Sequence, residues 1–105
     1  MNALDLRRRL ADHVVVTDGA MGSELLQRLP EGSSLDLAAH EHPQAVLDIH
    51  LAYIEAGAEL IETATFGSSR PRLERARVGD LTETVNAAAV KLAREAREIS
   101  GKDVL

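Results

Sequence analysis

Two short apolar runs, each ending in a cluster of small residues, most constrain what this chain can fold into. The first is Val14-Val15-Val16-Thr17, stopped by Asp18-Gly19-Ala20-Met21-Gly22. The second is Glu59-Leu60-Ile61-Glu62-Thr63, followed by Ala64-Thr65-Phe66-Gly67-Ser68-Ser69. Continuous apolar runs of this length are typical of parallel strands covered on both faces. Two glycines within five residues signal a tight turn and a close approach of backbone.

Helical segments alternate with these runs. Residues 3–11 carry Leu4, Leu6 and Leu10 on a partial apolar face. Ser23 to Leu29 suits a short helix before Pro30, and residues 30–42 read as loop. Pro43 fits the first position of a helix that runs to Ala56, and Gly57 supplies the left-handed residue that ends it. At the helical repeat, Val46, Leu47, Ile49, Leu51, Tyr53 and Ile54 fall on one arc, with Gln44, Asp48 and Glu55 opposite. A helical piece containing Leu73 follows. Asp80 and Glu83 have capping-box spacing at the start of the longest helix. Leu81, Val85, Ala88, Leu92, Ala96 and Ile99 recur on one face of it, and Gly101 closes it. Asp103-Val104-Leu105 reads as the start of a third strand. Strands alternating with helices predict an α/β fold of βα units with a parallel sheet and right-handed crossovers. Two strands and a stub supply too little sheet for the helices they carry, so the chain is expected to be incomplete as given.

Composition narrows the partners. Asp and Glu outnumber Lys and Arg by 17 to 12, a formal net charge of −5. That argues against nonspecific nucleic-acid binding, which rests on neutralising phosphates. Arg7, Arg8 and Arg9, and then Arg70, Arg72, Arg75 and Arg77, form two local basic groups. They read as solvated helix faces, with a docking patch for an anionic partner as the alternative. The chain has no cysteine, so it holds neither a disulfide nor a Cys-ligated metal within these residues. No stretch approaches the ~18 apolar residues of a membrane span, and no signal peptide is evident. The expectation is a cytoplasmic protein with no membrane and no nucleic-acid partner. Tyr53 and Phe66 are the only aromatics, so the core must be aliphatic.

Functional groups of parallel α/β proteins gather at the carboxyl ends of strands. That rule selects residues 18–22 and 62–67. A glycine-rich turn leading into a helix offers free N–H groups to an anion, and Asp18 beside it can pair with a cation. Together they suit a zwitterionic amino acid. The alternative is a plain turn with a helix-capping Asp. His40-Glu41-His42 reads as a loop leading into a helix, not as a metal site, because a catalytic site needs a third protein ligand. His50, central on its helix's apolar arc, is expected to be buried and hydrogen-bonded to backbone. Met21 and Asn86 read as packing residues. Glu62 is expected to face the interior, where a carboxylate needs a partner.

Val16-Thr17-Asp18-Gly19-Ala20-Met21-Gly22-Ser23 resembles the Asp-Gly-Ala-Met-Gly-Thr opening of homocysteine S-methyltransferases, the family that includes the homocysteine-binding barrels of methionine synthases. His42-Pro43 through His50, then Tyr53 through Gly67, resemble the family's next block. Asn86, Ala88 and Lys91 through Glu95 are similar to its second barrel helix. Ser23 replaces the usual Thr, and Ala64 stands where Asn is common. The resemblance implies a TIM (β/α)8 barrel, a fold of about 250 residues. Residues 1–105 would be its truncated N-terminal part: two βα units plus the start of the third strand. It implies zinc held by three cysteines on later strands, binding the homocysteine sulfur as thiolate for methyl transfer to methionine. The methyl donor is left open among a corrinoid, a folate, S-methylmethionine and betaine. By carry-over, Asp18 would contact the substrate amino group. The backbone of Gly19, Ala20, Met21 and Gly22 would help hold its polar end, and Thr63 and Thr65 would line the pocket. The implied partners are homocysteine and the rest of the barrel. No catalytic or metal-ligating residue is expected in this chain, which would be inactive alone. A non-catalytic self-assembling βα module or amino-acid-binding piece is the second reading. A hydrolase barrel using His40 and His42 is the third.

Overall fold

A computed structural model describes residues 2–105. The helices are α1 (Ala3–Asp12), α2 (Gly22–Arg28), α3 (Ala38–Glu41), α4 (Pro43–Glu55), α5 (Arg70–Arg75) and α6 (Thr82–Ser100), with a 3-10 turn at Gly79–Leu81 before α6.

Local chemistry sets the helix ends. Pro43 stands in the first turn of α4, where its missing N–H costs nothing. Gly57 takes φ +114° just beyond that helix. Its N–H donates to the Ile54 carbonyl at 3.1 Å, and the Ala58 N–H donates to Tyr53 at 3.0 Å. This is the paired C-terminal closure that a left-handed glycine permits. Gly101, at φ +66°, ends α6. A capping box does form, but on α1. Asn2 accepts from the Asp5 N–H, and the Asp5 side chain accepts from the Asn2 N–H. The one expected at Asp80 and Glu83 does not form. The 3-10 turn occupies that position, and α6 begins at Thr82 without a side-chain cap.

α4 and α6 pack face to face, with α3 against α6. Val46, Ile49 and Ile54 meet Ala89, Leu92 and Ala96 in one core that also takes Leu25, Ala38, Ala39 and Val104. Alanines on the α6 face let the two helices approach closely. A second, small cluster holds Leu37, Leu73 and Val85. The α4 arc is largely as its periodicity predicts. On α6 the buried face is rotated, so that Ala89 and Ala93 are buried while Ile99 is 57% exposed. Residues 38–41, expected as loop, form the helical turn α3.

The predicted βα units of a TIM barrel are not formed. Among the described residues there is no sheet, and the only pairing is an isolated parallel bridge between Thr17 and Leu60. The three expected strand segments do lie alongside one another. Glu59 N–H donates to Val16 O at 2.8 Å, Asp18 N–H to Leu60 O at 2.9 Å, and Ile61 N–H to Leu105 O at 2.8 Å. The ladder is cut short by carboxylates. Glu59 Oε2 takes the Val16 N–H at 3.1 Å, and Asp18 Oδ2 takes the Glu62 N–H at 3.0 Å. Side chains thus occupy donors that a longer ladder would use. Burial is missing as well. Val14 is 89% exposed and Val16 52%, whereas a parallel strand needs cover on both faces. The fold is a helical assembly around three short extended segments. No helix among the described residues is long and apolar enough to cross a membrane.

Candidate functional site

The extended segments end where the sequence places small residues, and those ends enclose a cleft of about 380 Å³. Asp18, Gly19, Ala20, Met21 and Gly22 line one side of it, and Thr63 lies with Glu62 and Gly67 on another. Thr65 does not line the cleft. It supports Thr63 instead, the two Oγ1 atoms lying 2.8 Å apart in a hydrogen bond. A larger trough of about 1170 Å³ runs along the outside of α6 from Arg70 to Glu98. It is an open channel lined by charges of both signs and contains none of the small-residue turns.

Each wall has a physical reason. The Tyr53 hydroxyl donates to the Ala20 carbonyl at 2.7 Å, tying α4 to the first turn. A β-carbon on Gly19 would stand 3.0 Å from that hydroxyl, so glycine lets the ring approach. The Asp18 carboxylate accepts the Glu62 N–H, which fixes the two segment ends to each other. Beyond that bond, Asp18 has no side-chain partner among the described residues. The N–H groups of residues 19–22 also donate to no protein acceptor there. The cleft therefore presents an anionic side chain beside four unpaired backbone donors.

His50 lies beneath this wall on α4. It is fully buried, and neither ring nitrogen has a hydrogen-bond partner. The expected bond to backbone is absent. Burial lowers its pKa below the usual 6.5, and the nearby Asp18 charge opposes that shift. Glu62, expected to face the interior, is exposed at the cleft's edge. Asn86 does more than pack, since its Nδ2 donates to Ser68 O at 2.8 Å and to Thr82 O at 2.7 Å.

The way three lining residues pair has no sequence signal. Asp36 accepts from Arg72 Nε at 2.8 Å, and the Ser68 hydroxyl donates to the Asp36 carbonyl at 2.9 Å. Residues 36 positions apart, one of them in a stretch read as loop, show no spacing that would pair them.

The model of the homocysteine S-methyltransferase family matches residues 15–105. The chain belongs to this family. Among its relatives, an S-methylmethionine–homocysteine S-methyltransferase from Pongo abelii is 35% identical over 99 residues, covering 92% of this chain and 25% of the relative. Betaine–homocysteine S-methyltransferase 1 from Danio rerio is 35% identical over 94 residues, covering 86% and 24%. A methionine synthase from Mycobacterium leprae is 34% identical over 98 residues, covering 86% and 8%. The chain thus spans about a quarter of the length of the first two.

The residues of this chain do not fit the zinc site that the family resemblance implies, whose cysteines are expected on later strands. The chain has no cysteine, and among the described residues no three His, Asp or Glu side chains gather as ligands.

Proposed function

We propose that this chain supplies the amino-acid-binding part of a homocysteine S-methyltransferase, a protein that moves a methyl group to the sulfur of homocysteine and so makes methionine. The observation that carries the reading is the set at the first turn: the Asp18 carboxylate, held by the Glu62 N–H alone, next to the N–H groups of residues 19–22, which meet no protein acceptor among the described residues. An amino acid's ammonium pairs with Asp18, and its polar end meets the backbone donors of Gly19, Ala20, Met21 and Gly22. Thr63, oriented by Thr65, lines the same cleft. Family membership and the relatives' names support homocysteine as that amino acid. This chain's part is to bind and orient. Among the described residues no three His, Asp or Glu side chains gather as metal ligands.

The test is calorimetric titration of the protein that carries this chain. Asp18→Asn keeps an oxygen for the Glu62 N–H but removes the charge. Homocysteine affinity should fall about 10- to 100-fold, the usual loss for a charge-assisted hydrogen bond. Binding of 4-mercaptobutyrate, which lacks the ammonium, should not change. Equal homocysteine affinity in the variant and the native protein would sink the reading.

A further inference from the structure

Among the described residues, Arg72 is the one cationic side chain lining the cleft, which also holds Asp18, Asp36 and Glu62. Its guanidinium is held from one side. Nε donates to Asp36 Oδ2 at 2.8 Å. Asp36 is itself fixed twice. Its carbonyl accepts the hydroxyl of Ser68, a residue only 2% exposed, and its carboxylate lies against Gly67, where any β-carbon would overlap it. Ser68 is anchored in turn by Asn86 through its carbonyl. The Nη groups of Arg72 have no protein acceptor among the described residues. A guanidinium whose Nε is committed still presents a pair of parallel N–H donors, the fork that matches a carboxylate.

We propose that Arg72, positioned by Asp36, is a carboxylate-binding side chain of this cleft. The proposal rests on the amino-acid-binding reading insofar as the same cleft receives the ligand. Backbone N–H groups contribute dipoles, whereas Arg72 contributes a full positive charge. Asp18 and Arg72 therefore give one cleft an anionic and a cationic contact, the complement of a zwitterion. The carboxylate has two possible sources: the acceptor amino acid, or a carboxylate-bearing methyl donor.

The experiment compares Arg72→Gln and Arg72→Lys with the native sequence in the protein that carries this chain. The probes are homocysteine, 3-aminopropanethiol (the same thiol and ammonium without the carboxylate) and 4-mercaptobutyrate (the same thiol and carboxylate without the ammonium). If the acceptor supplies the carboxylate, Arg72→Gln weakens homocysteine and 4-mercaptobutyrate about 10- to 100-fold. It leaves 3-aminopropanethiol unchanged, and Arg72→Lys keeps part of the preference. If the donor supplies it, homocysteine binding is unchanged, and a loss of the same size is seen for betaine or S-methylmethionine binding to the homocysteine-loaded protein. An equal loss for all probes would mean that Arg72 only staples the rim, and no change for any probe would mean that it binds nothing; either overturns the assignment. Should the native protein bind 4-mercaptobutyrate through Arg72 but not homocysteine, the amino-acid reading fails and the Arg72 assignment stands. Binding of no carboxylated probe ends both.

Discussion

Gly67 lies so close to the carboxylate of Asp36 that a β-carbon on it would overlap Oδ1. The contact joins two segments distant in sequence, the 30–37 stretch and the turn after Thr63. It also sets where Arg72 can reach Asp36. Gly67→Ala should therefore push Asp36 aside and break that ion pair. The expected cost is about 1–3 kcal/mol, the range for overpacking a close contact. A urea titration reads it as a lower midpoint with an unchanged slope. Gly22→Ala is the contrast. Its β-carbon would meet only Leu35 Cδ1 at 3.8 Å, so its stability should stay within about 0.5 kcal/mol of the parent.

His50 predicts a pH dependence. Its pKa in the folded chain lies below the usual 6.5 because burial disfavours the charged ring, and Asp18 only partly offsets this. The unfolded chain therefore binds a proton at higher pH than the folded one. The stability tied to a neutral His50 is full above pH 6.5 and is lost as pH falls from there toward the folded-state pKa. His50→Leu should remove that acid limb. At pH 7 it should be neutral or stabilising, since it deletes two buried nitrogens without partners. Thermal melts at a series of pH values decide this. An unchanged acid limb in the variant would assign it to other groups.

Tyr53→Phe deletes one hydroxyl and its bond to Ala20 O. The loss should be about 0.5–1.5 kcal/mol in stability. Hydrogen exchange should also speed up at residues 19–22, because the ring then packs against Gly19 without holding the turn. If exchange at the turn is unaltered, the turn is held by something other than Tyr53.

Asn86 ties α6 to the turn that carries Ser68. Asn86→Asp replaces a donor amide by a carboxylate facing two carbonyl oxygens, Ser68 O and Thr82 O. It should cost more than Asn86→Ala, which leaves both carbonyls unpaired for about 1–3 kcal/mol. Chemical denaturation of the two variants side by side tests the order. The reverse order would mean that these bonds contribute little.

By itself the sequence determined most of the helices and several of their ends, because these depend on neighbours a few residues apart, while α3 and the start of α6 differ from what it predicts. Pro43 and Gly57 bound α4, Gly101 ends α6, and the apolar arc of α4 is legible from its spacing. It also determined the family, through ordered motifs such as residues 16–23, and placed Asp18, residues 19–22 and Thr63 together at segment ends that do share one cleft. The tertiary structure decided what depends on distant partners. Runs that read as strands lie side by side but form no sheet among the described residues, only one isolated bridge and a few backbone bonds, as Glu59 and Asp18 carboxylates take ladder donors and Val14 and Val16 stay uncovered. His50 is buried without the backbone bond its burial normally implies, since only the packed core fixes what surrounds a ring. Asp36, Gly67, Ser68 and Arg72 interlock across 36 positions of chain. No local period records such a pairing, because it is made by folding two turns onto one another rather than by neighbouring residues.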